Sequence, residues 1–267
     1  MTVDEGAGMT VDEGAAVTFG VDVLAFGAHP DDVELFCGGI VGKLGELGYA
    51  TGIVDLTRGE KASLGSPDGR AREAAAAMVE LGCAWRDNVE LPDTQLAPTT
   101  EQIAKVVAVL RARRPEIVLA PSSEDRHPDH EAASEIVRRA VFFAGVQKFA
   151  PDAGERFVPR QVLFYAMRHR ITPSFIIDTS SVAARKARAI ACYQSQISRR
   201  AGDAPTLISA PDALAAIDAR DRYYGSMIGT SHGEAVRVQM TPGLADPVRH
   251  FRENPFAGAH AFEQGTV

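Results

Sequence analysis

Val21-Asp22-Val23-Leu24-Ala25-Phe26-Gly27-Ala28 runs straight into His29-Pro30-Asp31-Asp32. The first eight residues are nearly all apolar, as in a strand covered on both faces. The stretch after the acidic pair, to about Gly48, reads as a helix. The same order then recurs. Ala50 to Thr57 reads as a second strand, residues 58–69 as a polar loop, and the alanine-rich run Arg70 to Leu81 as a helix. A short strand near Val89, a helix from Thr99 to Arg113 and a buried strand from Glu116 to Pro121 follow. Ser122 to His130 then leads into a helix reaching about Ala144. Strand and helix alternating at this spacing predict βαβ units. The expected fold is α/β, a single Rossmann-like domain whose mostly parallel sheet is flanked by helices. Ligands in such sheets bind at the carboxyl ends of the strands. Both His29–Asp32 and Glu124–His130 follow predicted strands, so the fold places them at one edge, where the active site is expected.

The remainder is less regular. Gln161 to Met167 and Ser174 to Asp178 read as strands, Ser181 to Gln196 and Asp212 to Met227 as helices, and Ala235 to Met240 as a last strand. No linker divides the chain. The expected organisation is a mobile N-terminal tail over 1–19, one domain over 20–240 and an irregular tail over 241–267. The N-terminal segment carries a near-duplicate, Met1-Thr-Val-Asp-Glu-Gly-Ala and Met9-Thr-Val-Asp-Glu-Gly-Ala. Its period is far too short for a solenoid unit, and it reads as a duplicated start region or an ambiguous start codon.

Composition narrows the function classes. The 267 residues are 45% hydrophobic and 24% charged, with a formal net charge of −7. An acidic chain is a poor general binder of phosphate backbones, so no nucleic-acid partner is expected. No apolar run approaches the ~18 residues that span a bilayer, so no membrane partner is expected. Cys37, Cys83 and Cys192 form no CxxC pair and read as reduced thiols. With an acidic N-terminus lacking a basic n-region, they lead to the expectation of a cytoplasmic protein.

His29 and Asp32 stand three residues apart after one strand, and His127 and His130 repeat that spacing after another. Residues so spaced at a helix start can point the same way. Catalytic zinc takes about three protein ligands and keeps one position open. A set of histidine and aspartate suits zinc (Zn2+), with iron(II) as a substitute. The competing explanation is helix capping, by Asp31 or Asp32 and by Asp129. Capping accounts for one aspartate per motif, but not for the acidic pair or the two histidines around Pro128-Asp129. Zinc-assisted amide hydrolysis needs a base beside the attacking water and a donor for the oxyanion and the leaving amine. Asp31 is the candidate base. His127 is the candidate donor, with Asp129 expected to orient and charge it through a hydrogen bond.

Ala28-His29-Pro30-Asp31-Asp32 with Glu34, then Asp125-Arg126-His127-Pro128-Asp129-His130, resembles the PIG-L/LmbE-like family of zinc N-deacetylases. Within it the chain is most similar to the bacillithiol-biosynthesis branch, which deacetylates N-acetylglucosaminyl-malate. Asp55-Leu56-Thr57, Leu91-Pro92-Asp93, Ala120-Pro121, Phe175-Ile176-Ile177-Asp178 and Tyr193-Gln194-Ser195-Gln196 carry the similarity from about Val21 to Val236. The resemblance implies zinc held by His29, Asp32 and His130, with Asp31 as base and His127, partnered by Asp129, supporting the oxyanion. It implies Arg70, Arg126 and Arg160 near a small-molecule amino-sugar substrate, where arginine forks would suit malate carboxylates. It also implies a homo-oligomer, a trimer or hexamer. The chain departs from that branch in the loop Arg58 to Gly65, at Ala213 where a tyrosine is expected, and at His232. His232 stands where the branch often has tyrosine and is a candidate pocket residue.

Other motifs carry less. Gly229-Thr230-Ser231-His232-Gly233 matches G-x-S-x-G, but a helix precedes it and a strand follows, so it reads as a loop. Gly38-Gly39 lacks a phosphate-loop context and reads as close helix packing. His169, His250 and His260 have no partner at metal spacing and read as surface residues. The remaining alternatives are a deacetylase for another amino-sugar conjugate (a mycothiol precursor, a chitooligosaccharide or a glycopeptide) and a non-catalytic sugar-binding module.

Overall fold

The computed structural model describes residues 20–199 and 204–254. Five strands form the parallel part of the sheet: β1 (Val23–Gly27), β2 (Thr51–Thr57), β3 (Trp85–Leu91), β4 (Ile117–Pro121) and β5 (Gln161–Tyr165). The helices between them are α1 (Asp32–Glu46), α2 (Pro67–Leu81), α3 (Thr100–Arg113) and α4 (Pro128–Ala144). Beyond β5 come β6 (Phe175–Asp178), α5 (Ala183–Ala191), α6 (Gln194–Ile197), α7 (Ala213–Ser226), β7 (Gly233–Val238) and α8 (Pro247–Glu253). The seven strands lie in the order β3-β2-β1-β4-β5-β7-β6, and only β7 runs against its neighbours. The expected α/β fold with a mostly parallel sheet is the fold observed.

Alternation along β1 divides the core. Val23 and Ala25 pack on one face with Ile40 and Leu81. Leu24 and Phe26 pack on the other with Val106, Leu110 and Val137. A strand buried on both faces needs no polar residue, which is why this segment reads as a continuous apolar run. After β1 the chain builds outward through β2 and β3, then crosses back to place β4 on the other side of β1. The β1/β4 boundary is therefore the switch point, and its crevice opens at the carboxyl ends. His29–Asp32 and Asp125–His130 meet there.

Local signals account for the helix boundaries. Ser66 caps α2 by accepting from the Gly69 N–H, with Pro67 in the first turn, so the helix starts three residues before Arg70. Gly82, at φ 70°, ends it in the left-handed conformation. The helix expected over Ser181 to Gln196 is divided instead. A 3-10 turn at Ser180–Val182 precedes α5, and α6 begins afresh after Cys192 and Tyr193. Tyr193 is fully buried and its hydroxyl donates to Glu34 Oε1 at 3.1 Å. The tail expected to be irregular contains α8, capped by Asp246 and started by Pro247, with no buried residue. Residues 1–19, expected to form a tail, lie outside the described residues.

α1 is kinked at Cys37, whose φ and ψ are non-helical. The carboxylate of Glu234, on β7, accepts from the Gly39 and Ile40 N–H groups at 2.9 and 2.7 Å. The kink is thus a second helix start, capped from across the fold. Gly39 leaves no room for a side chain, since a Cβ there would lie 2.7 Å from Glu234 Oε1. Close packing is thus the role of Gly39, whereas a Cβ on Gly38 would meet nothing nearer than 3.5 Å. Gly229 to His232 form the connection between α7 and β7, as expected of a loop. No described helix is long and apolar enough to cross a membrane.

Candidate metal centre and active site

The turn after β1 carries His29, Asp31 and Asp32; the loop after β4 carries Asp125, Arg126 and His127, and α4 opens with Asp129 and His130. All three of His29, Asp32 and His130 are buried. Asp32 Oδ2 is 3.4 Å from His29 Nδ1, and Asp32 Oδ1 is 3.2 Å from His130 Nε2. Two ligands about 2.1 Å from a tetrahedral ion stand about 3.4 Å apart, so the spacing suits zinc. The outward-facing nitrogens are also engaged. His130 Nδ1 lies 3.0 Å from Asp125 Oδ1, and His29 Nε2 lies 3.3 Å from Asp93 Oδ1 and 3.4 Å from Asp129 Oδ2. Carboxylates behind ligand imidazoles are the usual outer support of a metal site. A second group, His29, His127 and Asp129, is also close enough to hold an ion, but His127 is only half-buried.

The charges agree with a cation-binding centre. Burial works against ionising Asp32, yet His130 and His29 hold its carboxyl well below the ordinary range. Burial also opposes the charge on His130, but Asp32 and Asp125 raise it to about 9. His29 is raised well above its ordinary value because Asp129, Asp32 and Asp93 outweigh its burial. Asp93 is held at about 2, its burial overcome by His29 and the Lys61 N–H. A cation bound here would compete with protons on His29 and His130.

Capping explains neither aspartate of the first motif. Asp31 sits at the cap position of α1 but makes no capping hydrogen bond, and its φ is 121°. Positive φ is uncommon for a residue with a Cβ, and strain of this kind is held where the surroundings over-determine it. The result is a carboxylate facing the cavity. Burial pushes Asp31 up to about 7, with Arg70 opposing and Asp32 adding to the rise. Arg70 Nη2 is 3.6 Å from Asp31 Oδ2 and donates to Gln196 Oε1.

His127 is the true cap of α4. Its Nδ1 accepts from the Asp129 backbone N–H at 3.2 Å. The Asp129 carboxylate does not orient His127 as expected; it accepts from Thr94 N at 2.8 Å and faces His29. The pairing fails because the Thr94 N–H and His29 engage that carboxylate instead. With Nδ1 accepting, a neutral His127 carries its proton on Nε2. Burial and the neighbouring His130 and His29 keep His127 below its ordinary value, so it is a neutral donor.

These residues line a cavity of about 290 Å³ with Leu35, Phe36, Lys61, Arg70, Arg126, Arg168 and Gln196. Two expected substrate residues are elsewhere. Arg160 is exposed, pairs with Glu116 at 3.0 Å and precedes β5, at the amino-terminal end of the sheet. His232 lies between Ser231 and Asp218, 3.0 Å from each, beside a separate small cavity between α5 and α7. Asp93, Asp125 and Arg168 received no role from sequence reasoning, although the first two stand within the quoted motifs. His169 and His250 are exposed, and His260 lies outside the described residues. Cys37, Cys83 and Cys192 are free thiols.

Comparison with known proteins places this geometry in a family. The family model described as GlcNAc-PI de-N-acetylase, PIG-L, matches residues 24–141, which contain the whole metal centre. Diacetylchitobiose deacetylase of Thermococcus kodakarensis is 29% identical over 236 residues, covering 83% of this chain and 84% of its own length. 4-Oxalmesaconate hydratase of Pseudomonas putida is 28% identical over 191 residues, 65% of this chain and 73% of its own. The crystal structure of a conserved protein from Thermus thermophilus is 38% identical, with a TM-score of 0.77 over 85% of this chain and 98% of that one. The chain belongs to the PIG-L family of N-deacetylase hydrolases.

Proposed function

We propose that this protein is a zinc-dependent hydrolase that removes acetate from an N-acetylglucosamine conjugate, with N-acetylglucosaminyl-malate of bacillithiol biosynthesis as its substrate. The observation that carries the reading is the meeting of Asp31 and His127 with the buried set His29, Asp32 and His130 in one cavity. The chitobiose deacetylase relative supports an acetylated amino sugar. Arg126 on the cavity wall supports an acidic aglycone. Iron(II) could replace zinc at a site of this composition. The cytoplasm and a homo-oligomeric state, a trimer or hexamer, complete the proposal.

Zinc held by His29, Asp32 and His130 would supply Lewis acidity and make water acidic near neutral pH. Asp31 accepts a proton from the attacking water as its oxygen bonds to the acetamide carbon. His127 donates from Nε2, first as a hydrogen bond to the developing oxyanion. The carbon–nitrogen bond then breaks as the proton taken up by Asp31 passes to the leaving nitrogen, giving the free amine and acetic acid, which ionises to acetate. Arg70 holds Asp31 in place from behind.

The test is free amine release by zinc-loaded protein from N-acetylglucosaminyl-malate and diacetylchitobiose, with Asp31→Ala as control. Release from the malate conjugate, lost in the variant, supports the whole reading. Release from chitobiose alone keeps the chemistry and discards the malate conjugate. No release from any acetylated sugar, with zinc bound, overturns the deacetylase reading, and the hydratase relative then names the next reaction to assay.

A further inference from the structure

Most arginines around the cavity are already committed. Arg70 faces Asp31 and Gln196, and Arg86 is buried against Asp55 and Glu34. Arg220 is held by Asp221 and by the carbonyls of Ala166, Met167, Leu35 and Phe36. Arg126 and Arg168 differ. Both line the catalytic cavity, one from the loop after β4 and the other three residues beyond β5. Among the described residues, neither guanidinium has a carboxylate within ion-pair distance. Arg168 is half-buried, and its guanidinium carbon stands 6.0 Å above the centre of the Phe36 ring. Its burial and the nearby charge of Arg126 both work against its protonated form. Asp125 and Asp32 offset this only in part, and Arg126 is exposed, so an anion entering the cavity would meet two like charges that no ion pair holds.

We propose that Arg126 and Arg168 form a two-armed clamp that selects amino-sugar conjugates whose aglycone carries a carboxylate. The proposal rests on the deacetylase reading of this cavity and names Arg168 as its specificity-determining residue. The acetamide must lie at Asp31 and the metal ligands, so the clamp is left for the other end of the substrate. A planar guanidinium matches a carboxylate edge to edge, whereas lysine offers only a point charge. The Arg168 backbone N–H also helps to hold Asp125 ionised, which ties the clamp to the support of His130. Arg126 is thereby retained from the expected arginines, and Arg168 takes the place given to Arg160.

The test compares kcat/KM for N-acetylglucosaminyl-malate with that for its dimethyl ester, in which the sugar is unchanged and both charges are masked. Wild-type protein is expected to prefer the acid. A charged hydrogen bond is worth about tenfold or more, so Arg168→Gln should reduce the acid-to-ester ratio by at least about tenfold. Arg168→Lys, which keeps the charge without the fork, should give an intermediate ratio and guards against misfolding of the glutamine variant. An unchanged ratio in folded Arg168→Gln overturns the clamp and leaves deacetylation standing. Titration of free malate into zinc-loaded protein reads the clamp without turnover. Its affinity should fall about tenfold in Arg168→Gln. Equal affinity overturns the clamp even if no sugar is deacetylated, which would separately overturn the deacetylase reading.

Discussion

Asp125 Oδ1 stands 3.0 Å from His130 Nδ1, and that contact leaves Nε2 as the nitrogen facing Asp32. A ligand imidazole whose other nitrogen is held by a carboxylate keeps its tautomer and its ring angle. Asp125→Ala should therefore weaken zinc binding by about 10- to 100-fold while leaving all three ligands in place. Competition against a chromophoric chelator measures it. Wild-type affinity in the variant would mean that the ring is held by packing alone.

Metal uptake should depend on pH with a definite sign. His130 is raised to about 9 in the metal-free protein, above its ordinary 6.5. The stability contributed by its protonated form is thus fully present below about 6.5 and is lost as pH rises through about 9. The metal competes with that proton. Apparent zinc affinity should rise by close to tenfold from pH 7 to pH 8 and less steeply as pH 9 is approached. Calorimetry in buffers of different ionisation enthalpy should register proton release, and a pH-independent affinity would contradict the arrangement.

Asp31 should matter to turnover far more than to metal binding. Asn fits the same space and tolerates positive φ better than most residues. Asp31→Asn should lower kcat by about 10²- to 10⁴-fold, the range typical of a lost general base. Zinc content per chain, measured on the same preparation, should match wild type. Loss of zinc along with activity would make Asp31 a part of the metal site instead.

Lys186 is buried between Asp221 and Glu234, at 2.6 Å from the latter. Glu234 in turn caps the kinked half of α1 through Gly39 and Ile40. Lys186→Met removes the buried cation that Asp221 and Glu234 share, leaving Asp221 to Arg220 and Glu234 to the two N–H groups. It should destabilise the fold by about 3–5 kcal/mol in urea denaturation. A shift below about 1 kcal/mol would show that water reaches the network.

How much was legible differs along the chain. From β1 to α4 the fold could be read because β1, β2 and β4 are largely apolar runs and α2 and α3 open on side-chain caps, whereas the polar β3 shows only around Val89. Ser66, followed by Pro67, and Thr99 are those caps. Beyond β5 the signals conflict. Asp246-Pro247 marks a helix start in a stretch otherwise expected to be irregular, and Tyr193 breaks a helix whose composition would let it continue. Tyr193 breaks it because its hydroxyl reaches Glu34, 159 residues away in the chain.

By itself the sequence determined the alternation of strands and helices in the first half, the edge at which both motifs meet, and the residue types available to a metal. Those follow from periodicity and from i, i+3 spacing, which are local properties of the chain. Tertiary structure alone decided which imidazole nitrogen each carboxylate holds, that Asp129 serves His29 rather than His127, and that Arg168 reaches the cavity while Arg160 and His232 do not. The reason is physical. Whether a charged side chain is satisfied or left seeking a ligand depends on partners supplied by distant segments. Only the packing of β1, β4 and β5 side by side brings those segments within hydrogen-bond reach.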